Sequence, residues 1–197
     1  MDVAEISKQL EDTGYIVLAK PLVEKLLADL FTRCHDDDPA RFHAAQVGRS
    51  SMKQQTGSIR GDVIDWLDAK NSTDCTYLAC MEELRLGLNE LLFPGLFDYE
   101  NHYAIYGKSD GYAKHSDVLQ GKKNRILTTV LYLNKDWQTC DGGELIIFEV
   151  TGSTVLAKVN PTFGTTIIFL SDSFPHEVLI SNATRRSISG WFRVSSS

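Results

Sequence analysis

"TTIIFLSDSFPHEVLISNATRRSISGWFRV", residues 165–194, holds three short apolar runs divided by turn-forming residues. "TIIFL" (166–170), "HEVLI" (176–180) and "RSISGWFRV" (186–194) are rich in β-branched and aromatic side chains. The breaks between them carry Ser, Asp, Pro and Asn, residues that each favour turns for a separate conformational reason. Runs of this length between such breaks predict antiparallel strands.

The same texture reaches back to residue 98. Strands are expected near 101–106, 111–117, 126–133, 144–150, 155–159, 166–170, 176–180 and 186–194. About eight strands suit a double-stranded β-helix, the jelly-roll or cupin-like sandwich. Ahead of residue 98 the pattern is mostly helical. A helix over 2–12 ends near Gly14, and "YIVLA" (15–19) reads as a short buried strand. Pro21 suits the first position of a second helix, with Val23, Leu26, Leu27, Leu30 and Phe31 as its core stripe. A third helix over 73–93 would bury Leu78, Met81, Leu84, Leu88, Leu91 and Leu92. Residues 36–62 are polar and without periodicity, and long loops of that kind in compact domains are often functional. The expectation is an α+β chain forming one compact domain. Residues 1–97 support a catalytic core at 98–197, and a loop at about 44–66 covers the substrate.

Composition bounds the function. A chain of 197 residues with 43% hydrophobic and 23% charged residues is an ordinary globular domain. Its net charge of −6 offers no electrostatic footprint for nucleic acid. No apolar run approaches the ~20 residues that span a bilayer. The acidic N-terminus lacks the features of a secretory signal. Four cysteines, Cys34, Cys75, Cys80 and Cys140, form no C-x-x-C pair and read as reduced thiols. A cytoplasmic location, without membrane or nucleic-acid partners, is expected.

"YAKHSDVL" (112–119) places His115 and Asp117 two apart, so in a regular strand they share a face. His176 follows a separate strand, with Pro175 fixing the approach to it. Two histidines and one carboxylate form a facial triad that leaves open positions on an octahedral Fe(II). Zinc is the competing metal, and ligand type alone does not separate the two. In "TRRSISGWF" (184–192), Arg185, Ser187, Ser189 and Trp191 share one strand face, and Arg186, Ile188, Gly190 and Phe192 the other. A buried arginine needs an anionic partner, and its planar fork matches a carboxylate. A dicarboxylate could then chelate iron at one end and meet arginine at the other, with Ser189 and Tyr132 adding hydroxyl donors.

These motifs together resemble the Fe(II)- and 2-oxoglutarate-dependent oxygenases. The carriers are "HSD" (115–117), "HEV" (176–178), "TRRSISGWF" (184–192), "YLNKDW" (132–137), "GGEL" (142–145) and "IRGD" (59–62) with Trp66. Within that family the chain is most similar to the prolyl hydroxylase branch, notably the oxygen-sensing enzymes of animals and their bacterial homologues. The resemblance implies hydroxylation of a prolyl residue, with O2 used and 2-oxoglutarate decarboxylated to succinate and CO2. It implies iron ligands at His115, Asp117 and His176. It puts Arg185 on the distal carboxylate of 2-oxoglutarate, with Tyr132 and Ser189 beside it. Tyr106 falls near the iron-binding end of the cosubstrate and Leu145 packs against it. Arg125 and Trp191 fall on the substrate side, and Arg60 pairs with Asp62 in the covering loop. Ascorbate is an implied reductant. The implied partner is a protein presenting a proline in a loop, such as a translation factor or a regulatory protein.

The sequence departs from the family in one place: Gly107 stands where a proline often follows the tyrosine, in a segment one residue shorter. Tyr112 poses a question, since regular parity sets it opposite His115 whereas the resemblance sets it at the pocket, which needs a bulge. Two other functions fit the pattern. One is a 2-oxoglutarate oxygenase acting on a free amino acid or other small molecule, and the other a cupin-like metal-binding sensor without turnover. "RRSISGWFR" lacks the Arg-x-Asn-x-Thr-x-Arg signature of the nucleic-acid demethylases.

Overall fold

Side chains alternate inward and outward along every long strand of the C-terminal half, and that alternation builds two cores. The computed structural model describes residues 1–36, 41–45, 61–92, 95–118, 124–151 and 153–194. In chain order the elements are α1 (Val3–Thr13), β1 (Tyr15–Ala19), α2 (Glu24–Cys34), β2 (His43–Ala44), β3 (Asp62–Trp66), α3 (Ser72–Leu91), β4 (Asp98–Tyr106), β5 (Tyr112–His115), β6 (Arg125–Tyr132), β7 (Leu145–Phe148), β8 (Val155–Val159), β9 (Thr165–Leu170), β10 (His176–Val178) and β11 (Arg185–Arg193). They form a major sheet, ordered β1-β9-β6-β11-β4-β3-β2, and a minor sheet, ordered β5-β10-β7-β8. Every pairing is antiparallel. The eight strands expected after residue 98 all form, four in each sheet, and give the jelly-roll core.

One core fills the space between the helices and the outer face of the major sheet. Ile6 and Leu10 of α1, Leu26, Leu27 and Leu30 of α2, and Tyr77, Met81, Leu84 and Leu88 of α3 pack on Leu127, Leu131, Ile168, Ile188 and Phe192. Each such side chain contributes about 1.5–3 kcal/mol relative to exposure. The second core lies between the sheets and includes Tyr106, Val130, Tyr132, Leu145, Ile147, Phe169 and Val178. Polar side chains on the inward strand positions share that inner space.

Helix ends follow capping chemistry. Asp2 caps α1 by accepting from the Glu5 N–H at 3.1 Å, and Gly14 ends it at φ 80°. A Cβ at Gly14 would also lie 2.7 Å from the Phe174 ring. Asn71 caps α3 by accepting from the Thr73 and Asp74 N–H groups.

The N-terminal region is less purely helical than expected. Beside the expected β1 at one edge of the major sheet, it adds β2 and β3 at the other. β3 was hidden because "DVIDW" carries two aspartates in five residues, which dilutes its strand signal. Helix α2 starts after an N-cap at Val23, so Pro21 precedes the helix instead of opening it, and Val23 is exposed. On α3 the buried stripe runs through Asp74, Tyr77, Met81, Leu84 and Leu88, while Leu91 faces solvent near the helix end. Most of the expected covering loop, including Arg60, lies outside the described residues. Among the described residues no helix is long and apolar enough to cross a membrane.

Candidate active site

The minor sheet brings the two histidines together. His176 on β10 stands directly opposite His115 on β5, and Val178 stands opposite Tyr112. Two steps on β10 therefore match three on β5, and the extra residue makes a bulge. That bulge turns Tyr112 onto the same side as His115: their rings stack with centroids 3.6 Å apart and planes 20° apart.

Asp117 joins them by a different route from the one expected. β5 ends at His115, so the bend after it, not strand parity, brings the carboxylate round. Its Oδ1 lies 3.8 Å from His115 Nε2 and its Oδ2 lies 3.5 Å from His176 Nε2. Ligand atoms of all three residues lie within 4.8 Å of one another. Each imidazole has its Nδ1 at a backbone carbonyl, His115 at Ala113 O (2.8 Å) and His176 at Phe174 O (3.0 Å). A carbonyl only accepts, so both Nδ1 atoms carry the proton and both Nε2 lone pairs point at the shared space. Fixing the tautomer through the second nitrogen is how metal-binding imidazoles are oriented.

Asp117 is anchored from behind. Thr128 Oγ1 donates to its Oδ2 at 2.8 Å and lies 2.9 Å from Ser171 Oγ. Burial pushes the Asp117 carboxyl up, but the neighbouring His176 and His115, the Trp191 indole and the Thr128 hydroxyl outweigh it and hold it below the usual value. The Trp191 N–H acts there by proximity, since it meets no strict hydrogen-bond geometry among the described residues. Two imidazoles and one carboxylate with open space between them fit a divalent transition metal.

The anion-binding end lies on β11. Arg185 is 2% exposed and its Nε donates to Gly143 O at 2.8 Å. Its guanidinium carbon sits 5.1 Å from the Tyr106 ring centre and 4.9 Å from that of Tyr132. Among the described residues no carboxylate pairs with it. Burial raises the Tyr132 hydroxyl above its ordinary value, opposed by the nearby Arg185 guanidinium through its charge and an approach too loose for strict hydrogen-bond geometry. Arg186 turns to the helix side, where its charge acts on Cys34. Parity thus selects Arg185 for the interior.

The surrounding motif supports this corner. Asn134 accepts from the Arg186 N–H and donates to the Arg186 and Pro161 carbonyls. The Trp137 indole donates to Gly142 O at 3.1 Å. Gly143 sits at φ 67°, and a Cβ there would come within 3.1 Å of Arg185 Cδ. A side chain at this position would be both strained and pressed against the arginine.

The other expected residues distribute as follows. Leu145 is buried in the inter-sheet core, and Ser189 lies half-buried on the inward face of β11, opposite His102 and Val130. Tyr106, expected at the iron end, has its recorded ring contact with Arg185. Trp191 carries Arg125 on its ring at 3.7 Å, and Arg125 also pairs with Glu100 at 3.1 Å. His102 lies between Trp191 and the half-exposed Trp66, with ring centres 5.4 and 5.3 Å away. Asp62 is buried on β3 opposite Tyr106. Sequence reasoning missed Thr128 and the role of Gly143. Thr128 is four before Tyr132 on β6, so parity places both inward, and only the β-sheet register shows that it meets Asp117.

Comparison with known proteins agrees with this geometry. A family model for the 2OG-Fe(II) oxygenase superfamily matches residues 101–193. The chain is 33% identical to human Egl nine homolog 1 over 165 residues, which is 79% of this chain and 38% of that protein. The chain thus spans well under half of that relative. A Pseudomonas putida prolyl-4-hydroxylase structure superposes with a TM-score of 0.87 at 35% identity, covering 98% of this chain and 100% of the other. A Trichoplax adhaerens prolyl hydroxylase, solved with a peptide fragment of a hypoxia-inducible factor, shares the fold at TM-score 0.85 and 24% identity, covering 97% and 88% of the two chains.

Proposed function

Because the chain belongs to the 2OG-Fe(II) oxygenase superfamily, we propose that it hydroxylates a prolyl residue of a protein substrate, using Fe(II), 2-oxoglutarate and O2. The observation that carries this reading is the pairing of two features in one interior. A three-residue metal-ligand cluster shares that space with a fully buried arginine lacking a carboxylate partner among the described residues. A buried unpaired cation is costly, and a dicarboxylate arriving with its chelating end at the metal relieves that cost at its other end.

Bound iron with its cosubstrate and O2 supplies the oxidation, in which 2-oxoglutarate becomes succinate and CO2 while an oxygen atom enters a C–H bond. The chain's own residues bind and orient. His115 and His176 present Nε2, and Asp117 stays ionised to take the metal. Arg185 and Tyr132 donate to the distal carboxylate, and Ser189 stands further along the same face. Leu145 and Tyr106 wall the pocket with apolar surface that keeps water from the reacting groups. Trp191, Arg125, His102 and the half-exposed Trp66 line the side from which a substrate would approach.

A protein substrate is supported by the accessible aromatic surface at Trp66 and by the relatives named above, one of them solved with a peptide. A regulatory protein or a translation factor is the class we favour. Four free cysteines, with Cys75 and Cys140 exposed, support a reducing, cytoplasmic setting.

The test is succinate formation from 2-oxoglutarate, followed with Fe(II) and O2 present or withheld. Formation that requires both, and that Arg185→Ala abolishes, supports the reading. Equal succinate from the variant contradicts the cosubstrate assignment.

A further inference from the structure

One rung of the major sheet links the metal ligands to a charged corner. Glu100 on β4, Trp191 on β11, Thr128 on β6 and Phe169 on β9 stand opposite one another in turn. Thr128 donates to Asp117, and Phe169 makes a T-shaped contact with the His176 ring, centroids 4.9 Å apart. Trp191 is buried, and its indole lies beside Asp117.

Glu100 is the outer end of the rung. Its carboxylate is mostly buried, and one oxygen, Oε2, meets both Arg125 Nη2 at 3.1 Å and Arg193 Nη1 at 3.3 Å. Arg193 has a second partner, since its Nε and Nη2 donate to the two oxygens of Asp98 at 2.9 and 2.6 Å. The Arg125 guanidinium carbon lies 3.7 Å from the centre of the Trp191 ring, a close cation–π contact.

Arg125 and Arg193 are themselves paired across β6 and β11. Like charges in that relation repel. Arg193 is held by Asp98, so Arg125 is the one that repulsion would lift off the ring. Glu100 sits between the two cations and offsets it. An amide of the same shape would leave both arginines facing each other with only Asp98 to balance them.

We propose that Glu100 is a positioning residue for the metal centre: it keeps Arg125 on Trp191, and the clamped indole in turn backs Asp117 beside Thr128. The inference rests on the reading of His115, Asp117 and His176 as metal ligands, and it is independent of the substrate.

The test reads the indole and the metal separately. In the 15N-labelled full chain, Trp66, Trp137 and Trp191 each give one indole N–H signal, assigned with single Trp→Phe variants. Trp137 is the control, since its indole donates to Gly142 O in another part of the fold. Spectra and thermal melts are recorded on metal-free protein, and Mn(II) is titrated calorimetrically. For Glu100→Gln and Glu100→Ala we expect the Trp191 signal to shift or broaden while that of Trp137 stays in place. Mn(II) is expected to bind roughly tenfold more weakly, the lower end of what groups behind a metal ligand contribute. In an Arg125→Gln background the same Glu100 changes should alter Mn(II) affinity by less than about twofold, because residues acting through one another are not additive.

A Trp191 signal that stays in place overturns the assignment, as does unchanged Mn(II) affinity in both Glu100 variants. So does a full loss of affinity that persists in the Arg125→Gln background. A Trp137 signal that moves as far as that of Trp191, with a lowered Tm, means general loosening and overturns it too. If Glu100→Ala does not fold, Glu100→Gln decides alone. Normal Mn(II) binding by the unsubstituted protein with no change in the variants fails the Glu100 assignment only. If the unsubstituted protein does not bind Mn(II) at all, the metal reading fails with it.

Discussion

Thr128 holds Asp117 in place: its Oγ1 donates to Oδ2 of the carboxylate at 2.8 Å, with Ser171 Oγ 2.9 Å behind it. Thr128 has a single proton to give, and the ionised carboxylate can only accept. Ser171 must therefore be the donor in its bond to Thr128, and the relay fixes the carboxylate from a fully buried position. Groups that orient a metal ligand in this way typically change metal affinity by about 10–100-fold when lost. Thr128→Val keeps the shape and removes the relay. We expect weaker Fe(II) binding of that order in chelator competition, with a near-normal fold by circular dichroism.

Arg185 is buried with its terminal N–H groups awaiting an anion. Removing one partner of a buried ion pair costs about 3–5 kcal/mol, or a few hundredfold and more in affinity. Arg185→Ala should lose 2-oxoglutarate on that scale while retaining metal, because the arginine is held by Gly143 O and the Tyr106 and Tyr132 rings rather than serving as a metal ligand. Calorimetry of the metal-loaded variant with 2-oxoglutarate measures the first, and metal content after desalting the second.

Ligand binding should stabilise the fold by linkage. At a free concentration one hundred times its Kd, a ligand adds about 2.7 kcal/mol, which for a domain of this size raises Tm by roughly 5–10 °C. We expect this rise with metal and 2-oxoglutarate together, and little of it in Arg185→Ala. A thermal melt of both proteins decides the matter.

Gly143 supports the same corner through its backbone. At φ 67° a non-glycine residue is strained by about 1–2 kcal/mol, and its Cβ would meet Arg185 Cδ at 3.1 Å. Gly143→Ala should therefore lower both thermal stability and 2-oxoglutarate affinity. Restored affinity in the double variant with a shorter side chain at 185 is not expected, since the guanidinium itself is what binds.

Cys34 titrates outside the ordinary thiol range. Burial pushes its thiol up to about 12, with Arg186 and Arg41 opposing. The folded state thus holds the proton longer than the unfolded chain, so this residue's contribution to stability is complete below the unfolded thiol range. It is lost as pH rises from there towards about 12. Iodoacetamide at mildly alkaline pH should label the exposed Cys75 and Cys140 and spare Cys34 until the protein unfolds. Peptide mapping of the alkylated chain reads this out.

Much of the architecture was legible because it rests on local pattern. The β-branched and aromatic runs "LTTVLYL" and "RSISGWFRV" announced strands, parity in β11 allowed only one of Arg185 and Arg186 to face the interior, and glycine-bearing turns punctuated the rest. What remained hidden depends on register between distant segments. Asp117 reaches the histidines through a bend, which parity cannot describe. Tyr112 reaches His115 through a bulge, which exists only because β10 pairs with β5 in that register. Thr128 and Ser171 lie 43 positions apart in the chain and meet at one carboxylate, so neither carries a local signal. The strand at Asp62–Trp66 was obscured because its aspartates are exceptions to strand propensity, tolerated where Asp65 pairs with Arg41 at 2.7 Å.

The central claim is that this interior couples 2-oxoglutarate turnover to proline oxidation in a protein. Quantitative peptide mass spectrometry of cells carrying the unsubstituted gene, set against cells carrying Asp117→Ala, addresses it most directly. We predict prolyl peptides heavier by one oxygen atom in the first cells and absent from the second. Proteomes without any prolyl difference, from cells whose purified enzyme nevertheless forms succinate, would contradict the claim and point to a small-molecule substrate.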